Sequence, residues 1–139
     1  MERGMNPELG LAILRVVLGV ILISHGAAKL FGDMEGTIGF FGSLGIPLPV
    51  VAAWVVALLE FFGGLALLVG LFVTPIALLL AIHMLGGIVL VHAPNGFYVI
   101  GPGSGGIEFN LIMIASLLML VFGGPGLAAI DSRRAGASS

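Results

Sequence analysis

The chain of 139 residues contains no cysteine and very few charged residues. Without cysteine it can form no disulfide, no thiolate metal site and no iron–sulfur cluster, so any redox chemistry must come from a bound molecule or a partner. Charged residues make up 9% of the sequence, against about 25% in soluble proteins. The five Lys and Arg residues are too few for a basic surface, so we expect no nucleic-acid binding.

The sequence is instead rich in apolar residues. They make up 59% of the sequence, and the mean hydropathy is +1.24, which is typical of membrane proteins. A helix needs about 20 mainly apolar residues to cross a bilayer. We therefore predict one all-α membrane domain over residues 1–139, a four-helix bundle in contact with the lipid bilayer, with spans at about 9–30, 50–70, 72–91 and 107–122.

The basic residues indicate the orientation of the bundle. Four spans place both termini on one side, and Arg3, Arg133 and Arg134 lie on that side, whereas the other side has only Lys29 near a helix end. Because positive residues are enriched in cytoplasmic segments, we predict that both termini are cytoplasmic. The apolar, glycine-containing loop 32–49 then faces outward, and we expect it to form a short interfacial helix that roofs a pocket.

Three ionisable residues fall near the middle of the predicted spans: Arg15, Glu60 and His83. Such residues mark a functional site or a buried pair, because a charge inside hydrocarbon is costly. Projection at about 100° per residue places Arg15 and Glu60 on helix faces rich in small residues, so we predict that they pair. The pair is either a structural clamp or part of a site. His83 is either a hydrogen-bonded interior residue or part of a relay.

A second polar layer lies near the outer ends of the spans. His25, Lys29, His92 and Glu108 share this depth, and we predict that they bind a ligand. Lys29 and Glu108 can alternatively extend to the lipid headgroups. His25 and His92 are geometrically able to ligate haem, but a single pair is a weak indication and we do not expect haem. His83 and His92 point in opposite directions on a continuous helix, and we expect no metal site.

Four segments, taken in order, resemble the DoxX family: RVVLGVILISHGAAKLFG (15–32), GIPLP (45–49), LEFFGGLALLVGLFVT (59–74) and GGPGLAAID (123–131). The resemblance implies a small multi-pass protein of a bacterial or archaeal inner membrane. Some members are membrane subunits of thiosulfate:quinone oxidoreductase, and others are linked to hydroquinone or catechol stress. The motif positions that carry over are Arg15, His25, Gly26, Lys29, Glu60, Gly63, Gly64 and His92.

These observations favour a membrane protein that binds a quinone or a similar aromatic amphiphile and acts as a membrane subunit of a redox system. A quinone site needs an apolar slot with hydrogen-bonding groups, and the outer layer lies beside Phe40, Phe41, Phe97 and Tyr98. A soluble redox protein or a second copy of the chain is a compatible partner. The alternatives are a non-catalytic scaffold and a small-molecule or proton transporter. No cofactor motif is present, so whether the chain is an enzyme stays open.

Overall fold

The computed structural model describes residues 4–101 and 103–137, and every regular element in these ranges is a helix. Arg3, which enters the orientation prediction, lies outside the described residues. The four apolar helices are α1 (Pro7–Ala27), α3 (Pro49–Val69), α4 (Val73–Gly87) and α5 (Glu108–Gly123), with two shorter helices, α2 (Met34–Ser43) and α6 (Ile130–Ala137). The predicted all-α class is therefore confirmed, including a short helix after the first span.

Two of the apolar helices continue beyond their α-helical part as π-helices. Ala28–Gly32 extends α1, and Ile88–His92 extends α4 into a short 3₁₀ turn. With these extensions three helices are long and apolar enough to cross a membrane, at Pro7–Gly32, Pro49–Val69 and Val73–Asn95, whereas α5 is shorter. Each apolar helix begins within two residues of its predicted start.

The four apolar helices form two closely packed pairs, α1 with α3 and α4 with α5. Glycine brings α1 and α3 together at backbone distance. A Cβ atom on Gly19 would lie 2.9 Å from the carbonyl oxygen of Gly64, and one on Gly26 would lie 2.4 Å from the amide nitrogen of Phe61. Small residues permit such close approach of membrane helices. The contacts between the two pairs are looser, and they leave space at one end of the bundle.

The two ends of the bundle differ in what fills them. At the terminal end, where α1 begins and α5 ends, buried leucines such as Leu67, Leu117 and Leu120 fill the interior. At the opposite end, the loop end, α2 and the segment 93–107 cover the helices. The terminal end is also fastened by Asp131, whose carboxylate accepts hydrogen bonds from the amides of Phe72 and Val73 at the start of α4.

The predicted pair of Arg15 and Glu60 is wrong. Arg15 is 2% exposed and donates to four backbone carbonyls, those of Leu67, Leu68, Pro125 and Leu127, at 2.8–3.0 Å. The reason is the antiparallel register of α1 and α3, in which Gly26 faces Phe61. Glu60 is therefore level with the part of α1 that lies about 16 Å from Arg15 along the helix. Arg15 instead meets the carbonyls of Leu67 and Leu68 in the last turn of α3, where the carbonyl of Leu67 also accepts a hydrogen bond from the amide of Gly70. A cation is favourable at this end of a helix.

Candidate functional site

A cavity of about 1040 Å³ lies at the loop end of the bundle. All four apolar helices contribute to its wall, and α2 covers it with Gly36, Thr37, Phe40 and Phe41. Most of the lining is apolar. The polar side chains that line it are His25, Lys29, Asp33, Thr37, Glu60, His83, His92, Asn95 and Asn110.

Glu60 forms the centre of the polar part of this cavity. Its side chain is bonded through both oxygens: Lys29 Nζ lies 2.6 Å from Oε2, and His83 Nε2 lies 3.0 Å from Oε1. Glu60 itself is 5% exposed. Because the three residues come from α3, the extension of α1 and α4, the Glu60 cluster ties the two helix pairs together. It also joins residues that the sequence placed in two separate layers.

The π-helical segments explain how distant residues come to line one cavity. Lys29 lies in the extension of α1 and His92 in the extension of α4. A π-helical turn holds about one residue more than an α-helical turn, which corresponds to a rotation of about 100°. His83 and His92 therefore both line the cavity, and the prediction that they point in opposite directions is wrong. Such π-helical turns are frequent at functional sites.

His25 contributes an imidazole without a hydrogen bond to any described residue. It lines the cavity, and its ring centroid lies 6.0 Å from that of Phe109 on α5. Its backbone carbonyl accepts a hydrogen bond of 3.3 Å from Lys29 Nζ. Both ring nitrogens of His25 are consequently available to a molecule in the cavity, and one wall beside them is aromatic.

Glu108 does not join the other three residues of the predicted outer layer. Its Oε1 accepts a hydrogen bond of 2.8 Å from the amide of Val99, and it borders a separate, shallower depression. The expectation that four polar residues converge is thus wrong for Glu108, which fastens the segment 93–107 to the start of α5. Phe97 and Tyr98 pack edge to face against each other and do not line the cavity, so Phe40 and Phe41 supply its aromatic roof.

Asn110 is a lining residue that the sequence reasoning missed. It is 6% exposed on α5, and its Nδ2 donates to the carbonyl oxygen of Met84 on α4 at 3.1 Å. The sequence prediction named only ionisable residues and therefore omitted Asn110. A side-chain amide in an apolar helix is itself a signal of an interior position.

Several polar groups that line the cavity form their hydrogen bonds within the protein. Within residues 4–101 and 103–137, no three His, Cys, Asp or Glu side chains come together in a way that could hold a metal ion. Both oxygens of Glu60 are bonded by Lys29 and His83, and Nδ1 of His92 is bonded to the carbonyl oxygen of Gly105 at 2.7 Å.

A bundle of apolar helices around a chamber of this size defines an integral membrane protein with room for a small molecule. The sequence profile of the DoxX family matches residues 10–93, which span α1 to the end of the α4 extension. The chain therefore belongs to the DoxX family, as its motifs indicate.

Three relatives cover nearly the whole chain. CatD of Bacillus subtilis, provisionally named an oxidoreductase, is 36% identical over 124 residues, which are 89% of this chain and 86% of CatD. The inner membrane proteins YphA and YqjF of Escherichia coli are 30% and 32% identical, over 88% and 89% of this chain and 89% and 91% of their own lengths. No solved structure is similar. The chain is thus a multi-pass inner-membrane protein.

Proposed function

We propose that this protein binds a quinone or a similar aromatic amphiphile in the loop-end cavity and serves as a membrane subunit of a redox system. The observation that carries the proposal is the unbonded imidazole of His25 beside Phe109, inside a cavity with a mostly apolar lining. An aromatic headgroup can pack on such a wall while its oxygen atoms bond to the imidazole.

The size of the cavity agrees with this ligand class. Ligand pockets commonly measure about 300–1,000 Å³, and the cavity, at about 1040 Å³, is at the upper end of that range. It therefore has room for a substituted ring together with part of an apolar tail. The lining of Phe40, Phe41 and Phe109 offers aromatic contacts to the ring.

The redox part of the proposal rests on a relative and on composition. CatD is provisionally named an oxidoreductase. This chain has no cysteine, so it cannot use thiol chemistry or a cysteine-bound cluster. A subunit of this kind would supply the membrane site for the carrier, and a partner would supply the other redox centre.

The filling of the terminal end favours a binding site over a transport path. Leu67, Leu117 and Leu120 are fully buried there. The guanidinium of Arg15 donates hydrogen bonds to four backbone carbonyls. Between these residues and the Glu60 cluster the interior is apolar. A proton relay across the bilayer needs a chain of polar groups through both halves, and such a chain is not found among the described residues.

Titration with a short-chain benzoquinone in nanodiscs tests the proposal. The wild type should bind it saturably, and His25→Ala should weaken binding about fivefold, because a net hydrogen bond contributes about 1 kcal/mol. The matched control is Ser24→Ala, which removes a neighbouring hydroxyl that is bonded to the carbonyl of Val20 and lies away from the cavity. The control should bind like the wild type.

A wild type without saturable binding, measured with and without its copurifying proteins, would contradict the proposal. The scaffold hypothesis would then take its place. Equal loss of binding in His25→Ala and Ser24→Ala would also contradict it, since only the imidazole lines the cavity.

A further inference from the structure

The two segments that cover the loop end are held in different ways. The segment 93–107 is fastened to the helices on both sides of it by side-chain hydrogen bonds. His92 Nδ1 in the extension of α4 lies 2.7 Å from the carbonyl oxygen of Gly105. Glu108 at the start of α5 accepts a hydrogen bond of 2.8 Å from the amide of Val99. This cover is therefore fixed to both α4 and α5.

The helix α2 is held more weakly. It packs against α3 and the extension of α1, but none of its residues is buried. Its side-chain hydrogen bonds are local, from Thr37 to the carbonyl of Asp33 and from Ser43 to that of Phe40. In the described part of the chain, no hydrogen bond joins α2 to α4 or α5. Elements with few buried residues and few tertiary hydrogen bonds are the ones that open locally.

Under α2, the cavity separates the loop-end parts of α3 and α4. Ala52 and Val56 line it on α3, and Gly86 and Leu90 line it on α4 and its extension. A Cβ atom on Gly86 would meet no atom of another element within 4 Å, so the space beside this residue is empty. Leu90 and Phe40 both line the cavity and are 52% and 50% exposed, as expected of residues at the rim of an open cavity.

The outer surface on both sides of this gap is apolar. The neighbouring positions on the two helices carry exposed apolar side chains: Val55, Leu58, Ile82, Leu85 and Val89. An inner-membrane protein turns such side chains toward the acyl chains, since the bilayer core contains no water. The gap between α3 and α4 therefore faces lipid.

On the basis of the proposed function, we infer that the ligand exchanges directly with the bilayer through the gap between α3 and α4, and that α2 is the lid that moves aside. The segment 93–107 stays in place during this exchange. Because apolar surface avoids water, an amphiphile is concentrated in the bilayer, and an entrance from lipid lets it bind without passing through water. At Gly86 the passage is widest, since any side chain there would narrow it.

The test separates rates from affinity. A residue that narrows an entrance slows binding and release alike and leaves the dissociation constant unchanged. Gly86→Phe places a ring in the gap. The matched control is Gly10→Phe, because Gly10 also has open space but lies on α1 at the terminal end.

The ligand is a short-chain benzoquinone, and the protein is in nanodiscs. Binding is followed by stopped-flow quenching of Trp54, the single tryptophan, which lies on α3. Release is followed after mixing with excess empty nanodiscs. Both rate constants of Gly86→Phe should fall about tenfold, and its dissociation constant should stay within about twofold of the wild type. Gly10→Phe should have wild-type rates.

A second variant tests the lid independently of Gly86. The chain has no cysteine, so a reducible bifunctional thiol reagent can join α2 to the extension of α4 in the double variant Phe40→Cys, Leu90→Cys. Joining should slow binding and release at least about tenfold, and reduction should restore both rates. In the matched pair Val99→Cys, Ile112→Cys, whose residues border the shallower depression, joining fixes the segment 93–107 to α5 and should change the rates less than about twofold.

The outcomes separate the two proposals. Unchanged rates in Gly86→Phe or after joining α2 to α4, or slow exchange after joining the segment 93–107 to α5, would overturn the inference while the binding function stands. Weaker binding of Gly86→Phe through faster release would assign Gly86 to the binding site and would also overturn it. An absence of saturable binding in the wild type would overturn both proposals.

Discussion

The most direct test of the fold concerns Arg15, which the structure places among backbone carbonyls of α3 and of the segment between α5 and α6. We predict that Arg15→Met destabilises the bundle. Methionine has a similar length and suits an apolar interior, so the substitution removes the hydrogen bonds with little change in volume. Each of four carbonyl oxygens would lose its hydrogen bond from the guanidinium: Leu67, Leu68, Pro125 and Leu127.

The magnitude follows from the burial of these bonds. The bond to Leu67 is buried, and a hydrogen bond from a charged donor contributes about 1.5–3 kcal/mol. The carbonyl of Leu67 keeps its second hydrogen bond, from the amide of Gly70. The other three bonds are partly buried, so water or local rearrangement can replace part of each. We therefore expect a loss of about 3–5 kcal/mol in the free energy of unfolding. Arg15→Lys should fall in between, because one ammonium cannot reproduce the fork of the guanidinium.

The assay is reversible unfolding in mixed micelles, followed by helical circular dichroism as the mole fraction of denaturing detergent rises. The control is Arg133→Met, which removes the same charge from an exposed position on α6 and should change the free energy of unfolding by less than about 0.5 kcal/mol. If Arg15→Met and Arg133→Met unfold at the same detergent fraction, the carbonyl contacts of Arg15 do not stabilise the bundle.

Two further predictions concern helix packing and orientation. Gly26→Ala should lower the free energy of unfolding by about 1–3 kcal/mol, because its Cβ would clash with the amide nitrogen of Phe61. The control Gly10→Ala, whose Cβ would have open space, should be neutral in the same unfolding assay. Equal behaviour of the two variants would refute the close packing of α1 and α3. If both termini are cytoplasmic, Ala137→Cys should resist an impermeant thiol reagent in intact cells and Ser104→Cys should react, and the reverse labelling would invert the bundle.

The apolar helices were predictable because their signal is long and uniform. Runs of about 20 apolar residues leave few alternatives, and the breakers Pro49 and Gly70 fix the ends of α3 in the sequence as they do in the structure. The short helix α2 was also expected, since its apolar residues lie in a segment too short to span. Local composition carries all of this information.

The partners of the buried charges were not predictable by the same means. Helix projection gave the faces of Arg15 and Glu60 correctly. It gives no information on how far two antiparallel helices are shifted along each other. That shift depends on the contact of Gly26 with Phe61, which is a tertiary feature. The direction of His92 likewise depends on the π-helical turn of Ile88–His92, for which the sequence offers no pattern as strong as hydrophobic periodicity.

The two groups of buried charge differ in what they contribute. Arg15 joins the last turn of α3 to the segment between α5 and α6 through four backbone carbonyls, so its burial serves the fold. Glu60 satisfies no backbone group: its contacts are Lys29 and His83, and an isolated ionic cluster of this kind is a weak source of stability because its desolvation offsets its attraction. Apolar residues at these positions would make a purely structural bundle at least as stable. The Glu60 cluster instead lies on the wall of the loop-end cavity, which agrees with the proposed role in ligand binding.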